Sequence, residues 1–310
     1  MNRLSSNRLV SEPPSAVGSV TATRTTLIWV AWIATLLLSK LPLVIARDVL
    51  GADIPWITPI WLGTAALLIG ATFVWPALKP LRGYFAIMGV IVLTSFVFAP
   101  LISDSAAWQR FVAIQDEMIS LFAWRVVLVF LTLIVLLAVS LLGTRRREAF
   151  LTAGELTAPV QGLGLPGGRR ISWAVFGTVM ALLLAGLFFL FLLSQMPAGA
   201  GRLALALPWL PLILATAALN AFAEEGMYRA APLAMLLPAV GAKHAIWLTA
   251  VWFGLGHYYG GIPSGPVGLV QSGLLAVLLG KAMVDTRGMG WSFIIHMALD
   301  TVIYISLAAG

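Results

Sequence analysis

Uninterrupted apolar runs of membrane-spanning length limit what this chain can fold into more than any other feature. A helix needs about 20 consecutive apolar residues to cross a bilayer. Runs of that kind occupy roughly 26–46, 57–77, 84–103, 124–143, 172–194, 204–238, 244–260, 266–284 and 291–309. In hydrocarbon every backbone N–H and C=O must be satisfied within the chain, so runs like these become helices. Composition agrees, with 60% hydrophobic and 10% charged residues and a mean hydropathy of +0.98; soluble globular proteins carry about 45–50% and about 25%. The expected fold is an all-α, polytopic transmembrane helical bundle of eight or nine spans. The sixth run holds Pro208, Pro211, Pro232 and Pro238 and is too long for one straight helix, so a kink or break is expected there. The seventh is short, which is tolerable only inside a bundle.

Charge sets the orientation. The 310 residues include 19 Lys and Arg against 12 Asp and Glu, a net charge of +7. No basic stripe with interleaved aromatics accompanies the excess, which excludes nucleic acid as a partner and leaves the lipid bilayer. With the N-terminus inside, Arg3, Arg8, Arg24, Lys79, Arg82, Arg145, Arg146, Arg147, Arg169, Arg170, Lys243 and Arg287 fall on the cytoplasmic side, and only Arg47, Arg110 and Arg202 fall opposite. That is a strong positive-inside signal. Residues 1–25, rich in Ser, Thr and Pro without an apolar run, read as a disordered cytoplasmic tail rather than a signal peptide. The expected order is then a four-span membrane region over 26–143, a cytoplasmic basic loop over 144–171, and a second membrane bundle over 172–310. Segment 104–123 mixes acids, Gln and aromatics and is expected along the outer interface. The absence of cysteine excludes disulfides, thiolate ligands and a cysteine nucleophile.

Ionisable side chains at membrane depth are costly and mark function. The first four runs carry little besides Lys40, which near Pro42 and a helix end reads as a snorkelling side chain, and the terminal Arg125. The second half carries three clusters: Asn220 with Glu224, Glu225 and Arg229; Phe253 with His257; and His296 with Asp300. Glu225 and Arg229 stand at i, i+4 in the favourable order for an ion pair. Glu224 points about 100° away, on a stripe with Asn220 and Tyr228, and without that cation it suits a general base or acid. His296 and Asp300 share a helix face. His244, beside Lys243 at a turn, is expected in solvent. Counting from the turn at Pro238–Lys243, Glu224 and His257 lie about 16 residues out on either arm, hence at similar depth.

In this order the clusters resemble the CAAX-protease and bacteriocin-processing (CPBP, or Abi) family of intramembrane proteases, whose pattern is Glu-Glu-x-x-x-Arg, Phe-x-x-x-His and His-x-x-x-Asn or Asp. Here the motifs are Glu224-Glu225-Gly-Met-Tyr-Arg229, Phe253-Gly-Leu-Gly-His257 and His296-Met-Ala-Leu-Asp300, within roughly 215–305. The resemblance implies a (metallo)endopeptidase acting on a peptide or membrane-protein substrate. Glu224 and His257 would activate water, His296 and Asp300 would stabilise the oxyanion, and Glu225, Arg229, Asn220 and Phe253 would support them. Asp300 stands where prenyl-protein members have Asn, so it is also a candidate to orient His296. Two histidines and a carboxylate suit a divalent metal such as zinc, and that cofactor stays open. A bacterial cell membrane is the implied setting, with bacteriocin processing, immunity or envelope regulation as roles. Two other classes accommodate buried Glu and His: a non-enzymatic scaffold or immunity protein, and a proton-coupled transporter. The bland first half and the lack of an evident repeat weigh against the transporter.

Orientation is directly testable. A cysteine introduced at Thr144 is expected to resist impermeant thiol reagents added outside intact cells; ready labelling from outside would reverse the whole topology.

Overall fold

The structure is a computed structural model that describes residues 17–164, 170–195 and 199–309. Its first half comprises α1 (Val17–Leu38), α2 (Leu41–Val44), α3 (Ile57–Val74), α4 (Arg82–Leu93), α5 (Ala99–Ser103), α6 (Ala106–Ile114) and α7 (Glu117–Leu141). A small antiparallel hairpin follows, β1 (Pro159–Gly164) with β2 (Arg170–Ser172). The second half comprises α8 (Trp173–Gln195), α9 (Leu210–Glu225), α10 (Ala231–Val240), α11 (Ala242–Gly256), α12 (Gly265–Thr286) and α13 (Gly290–Ala309).

This is an all-helical membrane bundle. Among the described residues seven helical stretches are long and apolar enough to cross a bilayer, and an eighth is the bent pair Arg24–Leu38 and Leu41–Val49. The seventh run forms no full span, because α11 has 15 residues and reaches only about 22 Å at 1.5 Å per residue. Residues 1–16 of the expected tail lie outside the described residues, and α1 already begins at Val17. Outward-facing apolar side chains such as Leu182, Leu183 and Leu190 on α8 belong against lipid, as in an integral membrane protein.

Proline and glycine account for the irregular segments. The first span bends by 55° between Leu38 and Leu41, where Pro42 opens the next helix. The sixth run winds without a gap from Gly201 to Val240 but changes pitch repeatedly. A 3-10 stretch carries Pro208, α9 opens at Pro211, and a π turn over Gly226–Ala230 precedes Pro232 in the first turn of α10. Pro232 has no N–H, and its ring crowds the carbonyl four residues earlier; the widened turn absorbs that clash. Such π turns recur at functional sites. Gly241, at φ +80°, makes the α10–α11 connection in a single residue.

One expectation needs correction. Span four begins at Glu117 rather than near 124, so the interfacial segment shrinks to α6, with the Ser105 hydroxyl accepting from the Trp108 N–H. The described part of the 144–171 loop is tied to the end of α12 and the start of α13. The amides of Met289 and Gly290 donate to carbonyls at Phe150, Thr152 and Ala153, while Asp285 accepts from the Gln161 amide and the Trp173 indole.

The largest core joins the two halves. Leu27, Ala31, Phe85, Met88 and Val135 of the first half pack in one cluster with Met227, Leu233, Leu236, Leu248 and Trp252. In a bilayer the gain comes from close packing rather than from leaving water. Gly254 shows how close: a Cβ there would lie 2.6 Å from the Leu269 carbonyl oxygen and 3.1 Å from Gly273 Cα on α12, whereas one at Gly256 would meet nothing within 4 Å. Gly254→Val is therefore expected to destabilise the protein by about 1–3 kcal/mol, as overpacking does, while Gly256→Ala leaves thermal unfolding in lipid unchanged. Equal melting of both variants would mean that α11 and α12 are not packed this tightly.

Candidate active site

The centre of the site is a fully buried carboxylate. Glu225 closes α9, and its side chain accepts from the Arg229 guanidinium at one oxygen and from the Ser292 hydroxyl at the other. The same oxygen that meets Arg229 lies 2.8 Å from His296 Nδ1. A paired carboxylate only accepts, so Nδ1 carries a proton and the orientation of the His296 ring is set. Glu225 is thus more than the ion-pair partner expected from the i, i+4 spacing, because it also fixes the imidazole of α13. Arg229 leaves Nε and Nη2 without hydrogen-bond partners among the described residues, but its guanidinium sits over the Phe253 ring at 4.9 Å, a cation–π contact.

Once held through Nδ1, His296 presents Nε2 to two further carboxylates, Glu224 at 3.6 Å and Asp300 at 3.7 Å. Both distances exceed hydrogen-bond length. Asp300 accepts instead from the Asn220 amide at 2.9 Å, one turn before Glu224 on α9. Asn220 Oδ1, buried as well, has no protein partner among the described residues.

His257 occupies the residue that ends α11. Its Nδ1 lies 3.0 Å from the Phe253 carbonyl, an acceptor only, so Nδ1–H donates and Nε2 remains an acceptor. The Phe253 ring stands between the two imidazoles, 4.5 Å from His257 and 6.3 Å from His296 by ring centroids.

Glu224, His257, His296, Asp300 and Asn220 all line one cavity of about 820 Å³. Leu184, Leu187, Phe188 and Phe191 of α8 with Leu274 and Leu278 of α12 supply an apolar wall. The carboxylate placed opposite His257 by arc length does share its cavity, but its ion-pair contact is with His296. A π turn over Gly226–Ala230 lies in this arm, so it departs from the regular α-helical hairpin that the arc-length argument assumes.

Two residues of α13 escaped sequence reasoning: Tyr304, which lines the cavity, and Ser292, which does not line it but donates to Glu225. With His296 and Asp300 they form a ladder at four-residue spacing, a signal that was available in the pattern. Arg125 was not legible: α7 carries it into the cavity, where its Nε donates to the Tyr304 hydroxyl at 3.0 Å. Lys40 does not snorkel but donates to the Gly256 carbonyl at 2.9 Å. His244 accepts from the Trp32 indole at 3.4 Å rather than only meeting solvent.

Among the described residues no three His, Asp or Glu side chains are arranged to hold a metal ion.

The Glu225–Arg229 pair does not line the cavity, and this defines its expected behaviour. Removing one member of a buried pair leaves an uncompensated charge, which costs about 3–5 kcal/mol. Arg229→Met is expected to lower the yield of folded protein sharply, and Arg229→Met with Glu225→Gln to recover part of it. Normal accumulation of an inactive Arg229→Met protein would instead make the arginine a substrate-binding group.

Residues 205–302 match the family model described as type II CAAX prenyl endopeptidase Rce1-like. No curated protein matches the chain, and no solved structure does. The matched segment contains all three polar motifs and every residue of the Glu225 and His296 network described above. Across 205–302 the chain is thus similar to the CAAX prenyl endopeptidases, in the segment whose motifs carry the resemblance.

Proposed function

We propose that the protein is an intramembrane endopeptidase that hydrolyses a peptide bond of a membrane-associated or peptide substrate, with Glu224 as the base that activates water. The observation that carries this reading is the convergence of Glu224, His257, His296 and Asp300 on one largely apolar cavity inside the bundle. An apolar wall accepts a hydrophobic segment, and low dielectric strengthens every polar contact at its end.

Each residue has a defined task in this mechanism. A water donates one hydrogen to Glu224 and the other to His257 Nε2, the free acceptor left by the Nδ1 bond to Phe253. As the water oxygen bonds to the peptide carbonyl carbon, Glu224 takes its proton. Negative charge develops on the carbonyl oxygen, for which His296 in its imidazolium form offers Nε2–H. Asp300 accepts from Asn220, so it orients and balances His296 rather than donating to the oxyanion. Glu224 then passes the proton to the leaving nitrogen as the C–N bond breaks. Asn220 Oδ1, which has no partner among the described residues, is available to a substrate N–H.

The decisive variant is Glu224→Gln, which keeps shape and hydrogen bonding but removes basicity. In lipid nanodiscs, with a quenched library of apolar peptides, its turnover is expected to fall by about 10²–10⁴-fold at an unchanged melting temperature. Wild-type turnover by Glu224→Gln would end this assignment.

A further inference from the structure

The first span lies outside the matched segment, yet it touches the chain on both sides of His257. We infer that this bent span is a positioning element for the His257 imidazole and that Lys40 is its principal positioning residue. The inference goes beyond the proposed protease reading and rests on it only for the turnover part of its test.

The argument begins at the end of α11. The last carbonyls of a helix have no intrahelical donor and need a partner from elsewhere. Gly256, the residue before His257, has its carbonyl met by Lys40 Nζ at 2.9 Å. A cation is also the charge that a helix C-terminus favours. Lys40 is half-buried and stands in the 55° bend between α1 and α2, which turns it toward α11.

Beyond His257 the same span takes hold again. The Tyr259 hydroxyl lies 3.3 Å from the Leu43 carbonyl and 3.2 Å from the Asp48 carboxylate, and Arg47 stands 5.8 Å from the Tyr259 ring. The loop then folds back, with the Gly265 amide donating to the Tyr258 carbonyl. It passes so near the imidazole that a Cβ at Gly261 would lie 2.6 Å from His257 Cδ2. Phe253 closes the other side through its ring and its carbonyl. The imidazole is therefore held in a slot, and residues 40–48 fix the chain at Gly256 and at Tyr259, just before and just after it.

Two variants and two readouts test this on the full chain in lipid. Lys40→Met is expected to lower kcat by about 10–100-fold, the scale set by a displacement near 1 Å, with KM and melting temperature unchanged. Lys40→Arg, which keeps a donor for Gly256, is expected to restore most of that loss. Solid-state NMR of nitrogen-labelled histidine gives a readout independent of catalysis, because the chain has three histidines and His257→Asn identifies one signal. Lys40→Met should shift or broaden the His257 signal and leave that of His296 in place. Tyr259→Phe, at an exposed position, should move the same signal to a smaller extent and decides the matter if Lys40→Met does not fold. An unmoved His257 signal in the folded variants overturns the inference, even if peptide cleavage proceeds. Absence of cleavage by the wild type, with the signal still moving, would instead overturn the protease reading and leave the positioning role standing.

Discussion

One buried carboxylate organises the second half of this protein. Glu225 receives the Arg229 guanidinium, the Ser292 hydroxyl and His296 Nδ1–H, so a single anion ties α9, the π turn and α13 together. A lone carboxylate in this environment would be prohibitively costly, and the three donors offset that cost only while the helices stay in register. The cavity inherits its geometry from that constraint. With Nδ1 committed to Glu225, His296 must turn Nε2 toward Glu224 and Asp300, and the polar end of the cavity follows.

The two glutamates show how neighbours in sequence acquire opposite roles. Glu225 is fully enclosed and saturated with donors, which makes it a structural acceptor. Glu224 keeps part of its side chain open to the cavity and has no arginine of its own. The rotation of about 100° between consecutive helical residues separates a saturated site from an available one. His257 and His296 are held in the same way: each has Nδ1 bound, one to a carbonyl and the other to a carboxylate, and both residues line the same cavity.

The first half is structurally continuous with the site, although the family match begins only at residue 205. Its apolar residues enter the same core as α10 and α11, Arg125 reaches the cavity beside Tyr304, and Ser95 meets the Tyr228 hydroxyl at 3.2 Å. Packing between small and branched side chains brings these helices close enough for isolated polar contacts to form across them.

Much of this was legible from residue order alone. Apolar run length determined an all-helical membrane bundle, since hydrocarbon leaves the backbone no other way to satisfy its polar groups. The i, i+4 spacings determined that Glu225 meets Arg229 and that His296 and Asp300 share a face, because helical periodicity is a local property. Tertiary structure decided which imidazole each carboxylate meets, that Lys40 supports the end of α11 rather than the lipid interface, and that Arg125 joins the cavity. These depend on the rotation and crossing of separate helices, and a single widened turn between Glu225 and Pro232 shifts that rotation by about one residue's worth, near 100°. No pattern within one helix carries the phase of its neighbour, so contacts across helices became visible only once the bundle was assembled.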